Sequence, residues 1–411
     1  MIQTDPNYAP AYALQAQVAL LLSDAVGAYG TVSSVEAIPA SQALVEKALS
    51  IAPDLGEAYA VKGLGLSQLG QSEDAIAALR RAVALSPNNL DANMWLASEL
   101  YVRRRHLDTA ETLTDLFNKD PLFMPVAGNL MLQLRTTGQH DRAEDVVERL
   151  QSIAPDMPAT KTARAILLFH KGDMAAAARV MQSVYEETPG VANGIRTADV
   201  LFMLDAFEEI PKYKIFPIYD VWATSAAGET AAGVSKAKAL LEAQPENGFF
   251  RNEYIIALSA NNQDTEILHY YKETWDSIRE FETDVINVYS RIPPSYAELA
   301  MAFKALGEEA LFQETMQRWR TSIDIDRAGG HKRLFEFEAK WQTLSGDYEA
   351  ALAQLEAGFE AYTLYPPSLL ERRSFDALKG NPGFEALKAK NLIRVNEERA
   401  KLGLSALTLA E

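Results

Sequence analysis

Five histidines are the side chains of this 411-residue chain best suited to acid–base chemistry or metal ligation, and cysteine is absent. His106 and His140 occupy equivalent places 34 residues apart, a spacing that invites a metal pair. Stacked helices lie roughly 10 Å apart, whereas one ion is held at about 2 Å by each imidazole. The two are therefore expected to be surface residues of turns. His170, His269 and His331 have no Glu or Asp at a ligand spacing such as H-E-x-x-H. A phosphate-binding glycine loop, a G-x-S-x-G turn and a carboxylate pair singled out by its setting are missing. Without cysteine there is no disulfide, thiolate site or thiol nucleophile. The expectation is a non-enzyme with no cofactor and no metal. An enzymatic reading survives only where the aromatic-rich region described below encloses a buried acid or base.

The elements that must hold any functional side chain follow a period. Pro53, Pro87, Pro121, Pro155 and Pro189 stand at an unbroken spacing of 34 residues, and a fixed period in this range marks a stacked helical array. A ring with fixed φ and no N–H ends a helix, so each proline is expected just after the second helix of a helix-turn-helix unit. Twelve, eight and five positions before the prolines stand Ala75, Leu79 and Ala82, then Thr109, Leu113 and Leu116, then Ala143, Val147 and Leu150, then Ala177, Met181 and Val184. Small or apolar residues at helical steps predict the buried face of each second helix. Seventeen positions before the proline comes Gly70, Gly138 or Gly172, where glycine makes a left-handed turn at least cost, with Arg104 breaking the pattern in one unit. Leu66, Leu100, Leu134 and Leu168 complete the apolar seam of the first helices.

With these residues the chain resembles the tetratricopeptide repeat family. The agreement is fullest over residues 56 to 87, through Tyr59, Gly63, Leu66, Gly70, Ala75, Leu79, Ala82 and Pro87, with Lys62 where leucine is common. The resemblance implies an all-α fold, a right-handed superhelical α-solenoid of tetratricopeptide helix-turn-helix units. Residues 1–54 are expected to form an incomplete first repeat with a loop insertion between Ala25 and Pro39. Residues 55–189 hold four regular units, and 190–292 an irregular, aromatic-rich region with 22 extra residues around Glu208 to Ser225. Two further repeat-like units occupy 293–365, and 366–411 form a C-terminal helical cap over the last repeat. Met1 to Pro6 reads as the last turn of a second helix without its first, so the chain is read as a fragment of a longer protein or as opening on an incomplete repeat. The tail from Phe375 to Phe384 and the opening Asp5 to Tyr12 also resemble repeat regions of bacterial signalling proteins that carry a winged-helix or nucleotide cyclase module.

A formal charge of −17 argues against nucleic acid, because sequence-independent affinity for phosphate requires clustered Lys and Arg. The one short basic run, Arg103 to Arg105, is read as facing the negative end of a first helix and solvent. Basic or neutral protein or peptide partners are favoured. The apolar stretch Val18 to Leu22 is too short to cross a bilayer and the first residues lack a basic region, so no direct membrane insertion is expected. The expected location is cytoplasmic for a complete chain, and the periplasmic side of a membrane-anchored parent for a fragment.

Two surfaces are candidates for binding. The first-helix residues Leu64, Met94, Trp95, Ser98, Asn129, Leu132 and Ile166 lie on the face that the resemblance makes the concave groove. Trp95 either anchors an apolar segment there or packs between units. Only Asn129 falls on a place used by carboxylate-gripping relatives of this family, so no carboxylate clamp is expected. The second surface lies where the period lapses, and its candidates are Tyr219, Trp222, Phe250, Arg251, Tyr254, Tyr271 and Trp275. These large side chains either fill irregular packing or line a cleft, with Arg251, Glu253 and Lys272 as its polar groups. Two functions follow: an interaction scaffold that takes a peptide or protein partner in the groove, or a sensing region of a larger bacterial signalling protein that binds a small ligand.

Overall fold

The helices keep the register of the prolines. In the computed structural model, which describes residues 4–23, 32–285, 295–361 and 364–408, α1 (Ala9–Leu21) and α2 (Ser34–Ile51) precede the regular series. That series is α3 (Gly56–Gln68), α4 (Ser72–Leu85), α5 (Leu90–Val102), α6 (His106–Lys119), α7 (Met124–Thr136), α8 (His140–Ile153), α9 (Pro158–His170) and α10 (Met174–Glu187). First helices start at 56, 90, 124 and 158 and second helices at 72, 106, 140 and 174, so the step is 34 throughout. All twelve second-helix residues predicted from the proline spacing, from Ala75 to Val184, are no more than 4% exposed.

Each pair closes through a left-handed residue. Gly70 has φ 72°, and Arg104 takes the same conformation at φ 56°. Arg104 and Arg105 donate their backbone N–H to Tyr101 and Leu100, as Gly70 and Gln71 do to Ser67 and Leu66. The turn is thus kept at a cost of about 1 kcal/mol for a non-glycine residue. Asn262 repeats this at φ 57° in a later pair, as a short polar side chain permits.

The chain divides into two compact units, residues 1–140 with 328–332, and residues 141–327 with 333–411. In the first unit Ala16, Leu20, Val45, Val61 and Leu64 form one cluster, and Ile76, Leu79, Leu96 and Leu100 the next. Pro39 lies inside α2, so the insertion expected to run to Pro39 ends before Ser34. Its residues 25–31, and Met1 to Gln3 of the expected opening helical turn, lie outside the described residues. Residues 328–332 cross two turns of this unit. Gly329 accepts from the Leu107 N–H at 3.0 Å and Lys332 donates to the Thr136 carbonyl at 2.9 Å. A Cβ on Gly329 would meet the Arg104 carbonyl oxygen at 1.7 Å, so only glycine allows this approach.

The second unit continues with α11 (Val191–Phe202), a short 3-10 helix (Phe207–Lys212), α12 (Ile218–Ala226), α13 (Thr230–Ala243), α14 (Gly248–Ala260), α15 (Asp264–Thr274) and α16 (Ile278–Val285). After α16 come α17 (Tyr296–Ala305), α18 (Glu309–Ala328), α19 (Phe335–Ser345), α20 (Tyr348–Glu360), α21 (Pro367–Leu370), a second 3-10 helix (Arg373–Leu378) and α22 (Pro382–Lys401). The boundary placed between residues 292 and 293 falls outside the described residues. The extra stretch placed at Glu208 to Ser225 is divided: its first part is the 3-10 helix, which contains Pro211, and its second is α12, the first helix of the next pair. Pro211 and Pro217 supply no N–H, so the chain after α11 cannot extend into a full second helix.

The C-terminal segment does more than meet the last pair. It contacts α20 and also returns to the start of the unit. Glu398 accepts from the Ala175 N–H at 2.7 Å, at the N-terminus of α10. Arg399, 3% exposed, donates to the carbonyls of Leu204, Asp205 and Ser405 and to Glu208. Asp205 in turn accepts from the Ser368 N–H and hydroxyl, both at 2.7 Å.

The close approach of α3 and α4 gives a direct test. A Cβ on Gly63 would fall 2.4 Å from Leu79 Cγ, although the equivalent positions of the following units hold Ala97, Met131 and Ala165. Gly63→Ala is expected to destabilise the protein by about 1–3 kcal/mol through overpacking, read as a lower denaturation midpoint, and Leu79→Val in the same chain should recover part of the loss.

Candidate functional site

In the first unit, Leu64, Ser98 and Leu132 are equivalent residues of α3, α5 and α7, and Trp95 and Asn129 are another equivalent pair. Ser98 is exposed, and Met94, Trp95, Asn129 and Leu132 are half-buried. Leu64 is 9% exposed and belongs to the cluster around Leu20 and Val61. Trp95 packs against that cluster, against Ile76 and Leu100, and against Ala60 and Ala82, so it fills the joint between successive pairs while keeping part of its ring in solvent. Ile166 lies on α9 in the second unit and is half-buried.

His106 is buried, contrary to the surface position expected of it, whereas His140 is exposed. The His106 ring lies by Tyr101 and Gln133 and meets His331, brought there by the 328–332 segment, edge to face at 5.1 Å. Nothing local in the sequence places that segment on the α5–α6 turn. Among the described residues no group of three His, Cys, Asp or Glu side chains is arranged to hold a metal ion.

The aromatic candidates of the second unit divide between packing and a cavity. Tyr271 and Trp275 are buried with Ile278, Phe281, Tyr296, Phe303 and Trp319 in one core cluster. Tyr254 packs partly buried against it, and Phe250 is half-buried beside Phe249. Arg251 serves structure: it donates to Asp284 at 2.9 Å and to the Pro245 carbonyl, and the Trp275 indole donates to the same Asp284 oxygen at 2.8 Å. Lys272 pairs with Glu308. Tyr219 is buried against Trp222 and donates to Asp199 at 2.6 Å.

Trp222 faces a cavity of about 780 Å³, with Val221, Ile256 and Met301 among its apolar walls. Glu253 on α14 lines it at 2% exposure. The Trp222 Nε1–H donates to Glu253 Oε2 at 2.6 Å, while Oε1 is buried with no hydrogen-bond partner among the described residues. Burial pushes the Glu253 carboxyl up to about 7, the Trp222 hydrogen bond and the Asn252 amide beside it oppose the rise, and the charge of Glu298 adds to it while that of Arg372 opposes it. Asp205 at the cavity wall is also raised by burial, against the two hydrogen bonds from Ser368. Glu298, Arg372, Ser225 and Ser374 line the same space and were not among the sequence candidates. The return of the C-terminal segment brings Arg372 and Ser374 to α14, a long-range packing event with no local signal.

The architecture is an all-α solenoid of helix pairs. A tetratricopeptide repeat family model matches residues 61–113 and 132–192, so these stretches, whose helices keep the 34-residue register, carry tetratricopeptide repeats. No curated protein matches the chain. Among solved structures it is similar to a tetratricopeptide repeat protein of Parabacteroides merdae, 12% identical over 62% of this chain and 93% of that one, TM-score 0.40. It is similar also to PilF of Pseudomonas aeruginosa, 16% identical over 60% and 94%, TM-score 0.36, and to a thermophilic repeat protein of Thermus thermophilus, 24% identical over 41% and 92%, TM-score 0.31. No described helix is long and apolar enough to cross a membrane.

The buried acid has a measurable signature. The folded chain keeps the Glu253 proton to about pH 7, whereas an ordinary Glu releases it near 4.5, so the folded state binds more protons between these values and loses stability as pH rises through them. Glu253→Gln should remove a slope worth on the order of 3 kcal/mol across that window. Urea denaturation of both proteins at pH 5 and pH 8 measures it, and parallel pH profiles would show an ionised carboxylate.

Proposed function

We propose that this tetratricopeptide scaffold binds a peptide or protein segment on the first-helix face of its first unit. The reading rests on two pairs at equivalent places on successive first helices, half-exposed Trp95 with Asn129 and exposed Ser98 with half-exposed Leu132, and on half-exposed Met94 beside Trp95. Places that repeat with the array offer regularly spaced contacts, apolar at Trp95 and Leu132 and polar at Ser98 and Asn129, and Trp95, seated on three clusters, is a rigid anchor that loses little entropy on binding. An apolar segment with basic or neutral flanks suits this face, since the chain carries a formal charge of −17.

Cross-linking mass spectrometry of the intact protein in its native cells is expected to join the partner to α3, α5 and α7. Ser98→Arg, at an exposed position, should weaken the binding of that partner at least tenfold while leaving the helical circular dichroism unchanged. Cross-links confined to the outer faces of the second helices, with binding indifferent to Ser98→Arg, would overturn the proposal.

A further inference from the structure

The charges around the second unit's cavity do not cancel. Arg373 makes a two-bond ion pair with Asp264, both bonds at 2.8 Å. Lys379 pairs with Asp376 and lies against Glu371, and Asp205 is held by Ser368. Four lining groups have no ion pair among the described residues: Asp205, whose two oxygens both accept from Ser368, and Glu253 on α14, Glu298 on α17 and Arg372 just after α21. Beside them the hydroxyls of Ser225 and Ser374 are buried without hydrogen-bond partners, as is Glu253 Oε1. Three orphaned polar atoms around one cavity are unusual, because a buried donor or acceptor is normally satisfied.

These leftovers specify a ligand. With the Asp205 oxygens engaged by Ser368, two carboxyl groups and a single guanidinium are left, which do not suit a phosphate, since that needs an excess of positive charge. Two carboxyl groups also fall short of a cation cage, which takes six or more oxygen ligands for calcium. A small molecule with one ammonium and one carboxylate matches both signs, and the Trp222 ring with Ile256 and Met301 supplies apolar wall for the rest of it. We propose that this cavity binds a short zwitterion, a free α-amino acid or a two- to three-residue peptide, with its ammonium at Glu253 and Glu298 and its carboxylate at Arg372. The site is independent of the peptide-binding face of the first unit, and it supplies the small ligand that a sensing region would need.

Thermal-shift screening of the full chain at pH 8 with the twenty L-amino acids and a set of di- and tripeptides, followed by calorimetry on the strongest, tests this. The tightest zwitterion is expected to bind at least tenfold more strongly than its matched amine lacking the carboxylate and its matched acid lacking the amine. Glu253→Gln, which keeps an acceptor for Trp222, should abolish binding, and Arg372→Gln should remove the preference over the amine. Retained binding of the first-unit partner by both variants shows that they are folded and separates this site from that one. No binding by any compound in the screen, equal binding of the amine or the acid, or binding unchanged in Glu253→Gln would each overturn the assignment.

Discussion

A pair of short helices cannot bury its apolar face alone, and everything else in this protein depends on how that face is covered. Helices of 13 and 14 residues are too short to persist by themselves in water. Each therefore relies on its antiparallel partner and on the next pair. The link between partners leaves room for little more than one left-handed residue, and the small residues at the contact let the backbones approach. Once these two conditions are met, equivalent side chains recur at equivalent places. The row of half-exposed residues on the first helices is a by-product of that repetition.

In the second unit the same constraint is met by different means. After α11 the prolines leave no room for a full second helix, and the apolar surface so exposed is covered by the returning C-terminal segment. The contact is held by polar groups that are almost fully desolvated. A buried guanidinium is tolerable only when its donors are satisfied, and Arg399 achieves this through two successive carbonyls, Leu204 and Asp205, together with Ser405 and Glu208. Asp205, itself in a left-handed conformation at φ 48°, then holds Ser368. These bonds fix where the segment lies, and with it the wall of the cavity that faces Glu253.

Glu253 and Glu298 line one space but differ in how far each is taken out of water. Glu298 is only half-buried, whereas Glu253 is buried beside Trp222, one oxygen accepting from the indole and the other without a hydrogen-bond partner among the described residues. Burial favours the neutral form, and the nearby negative charge reinforces it. A buried acid was the one feature that an enzymatic reading required of this region, and it is present. Among the described residues no base or nucleophile is in hydrogen-bond contact with it, and the cavity groups beside it are complementary in charge to a zwitterion.

The regular half of the fold was legible because its determinants are local and repeated. Proline position, the turn residue and the small or apolar residues at helical steps lie within one unit, so Ala75 to Val184 could be named as buried before any tertiary contact was known. Arg104 and Asn262 show the limit of residue identity even there, since the backbone kept its left-handed turn without glycine. The aromatic-rich region was legible only as a departure from the period. Whether Trp275 and Trp222 were packing or cavity wall depended on neighbours from distant elements. His106 was misplaced for the same reason, because the 328–332 segment that covers it carries no mark of its destination. The chain's own residues thus determined the helix pairs and their stacking, where each contact reaches no further than the next unit. Tertiary structure alone decided the burial of Glu253 and its grouping with Glu298 and Arg372, because their environment is assembled from helices far apart in sequence.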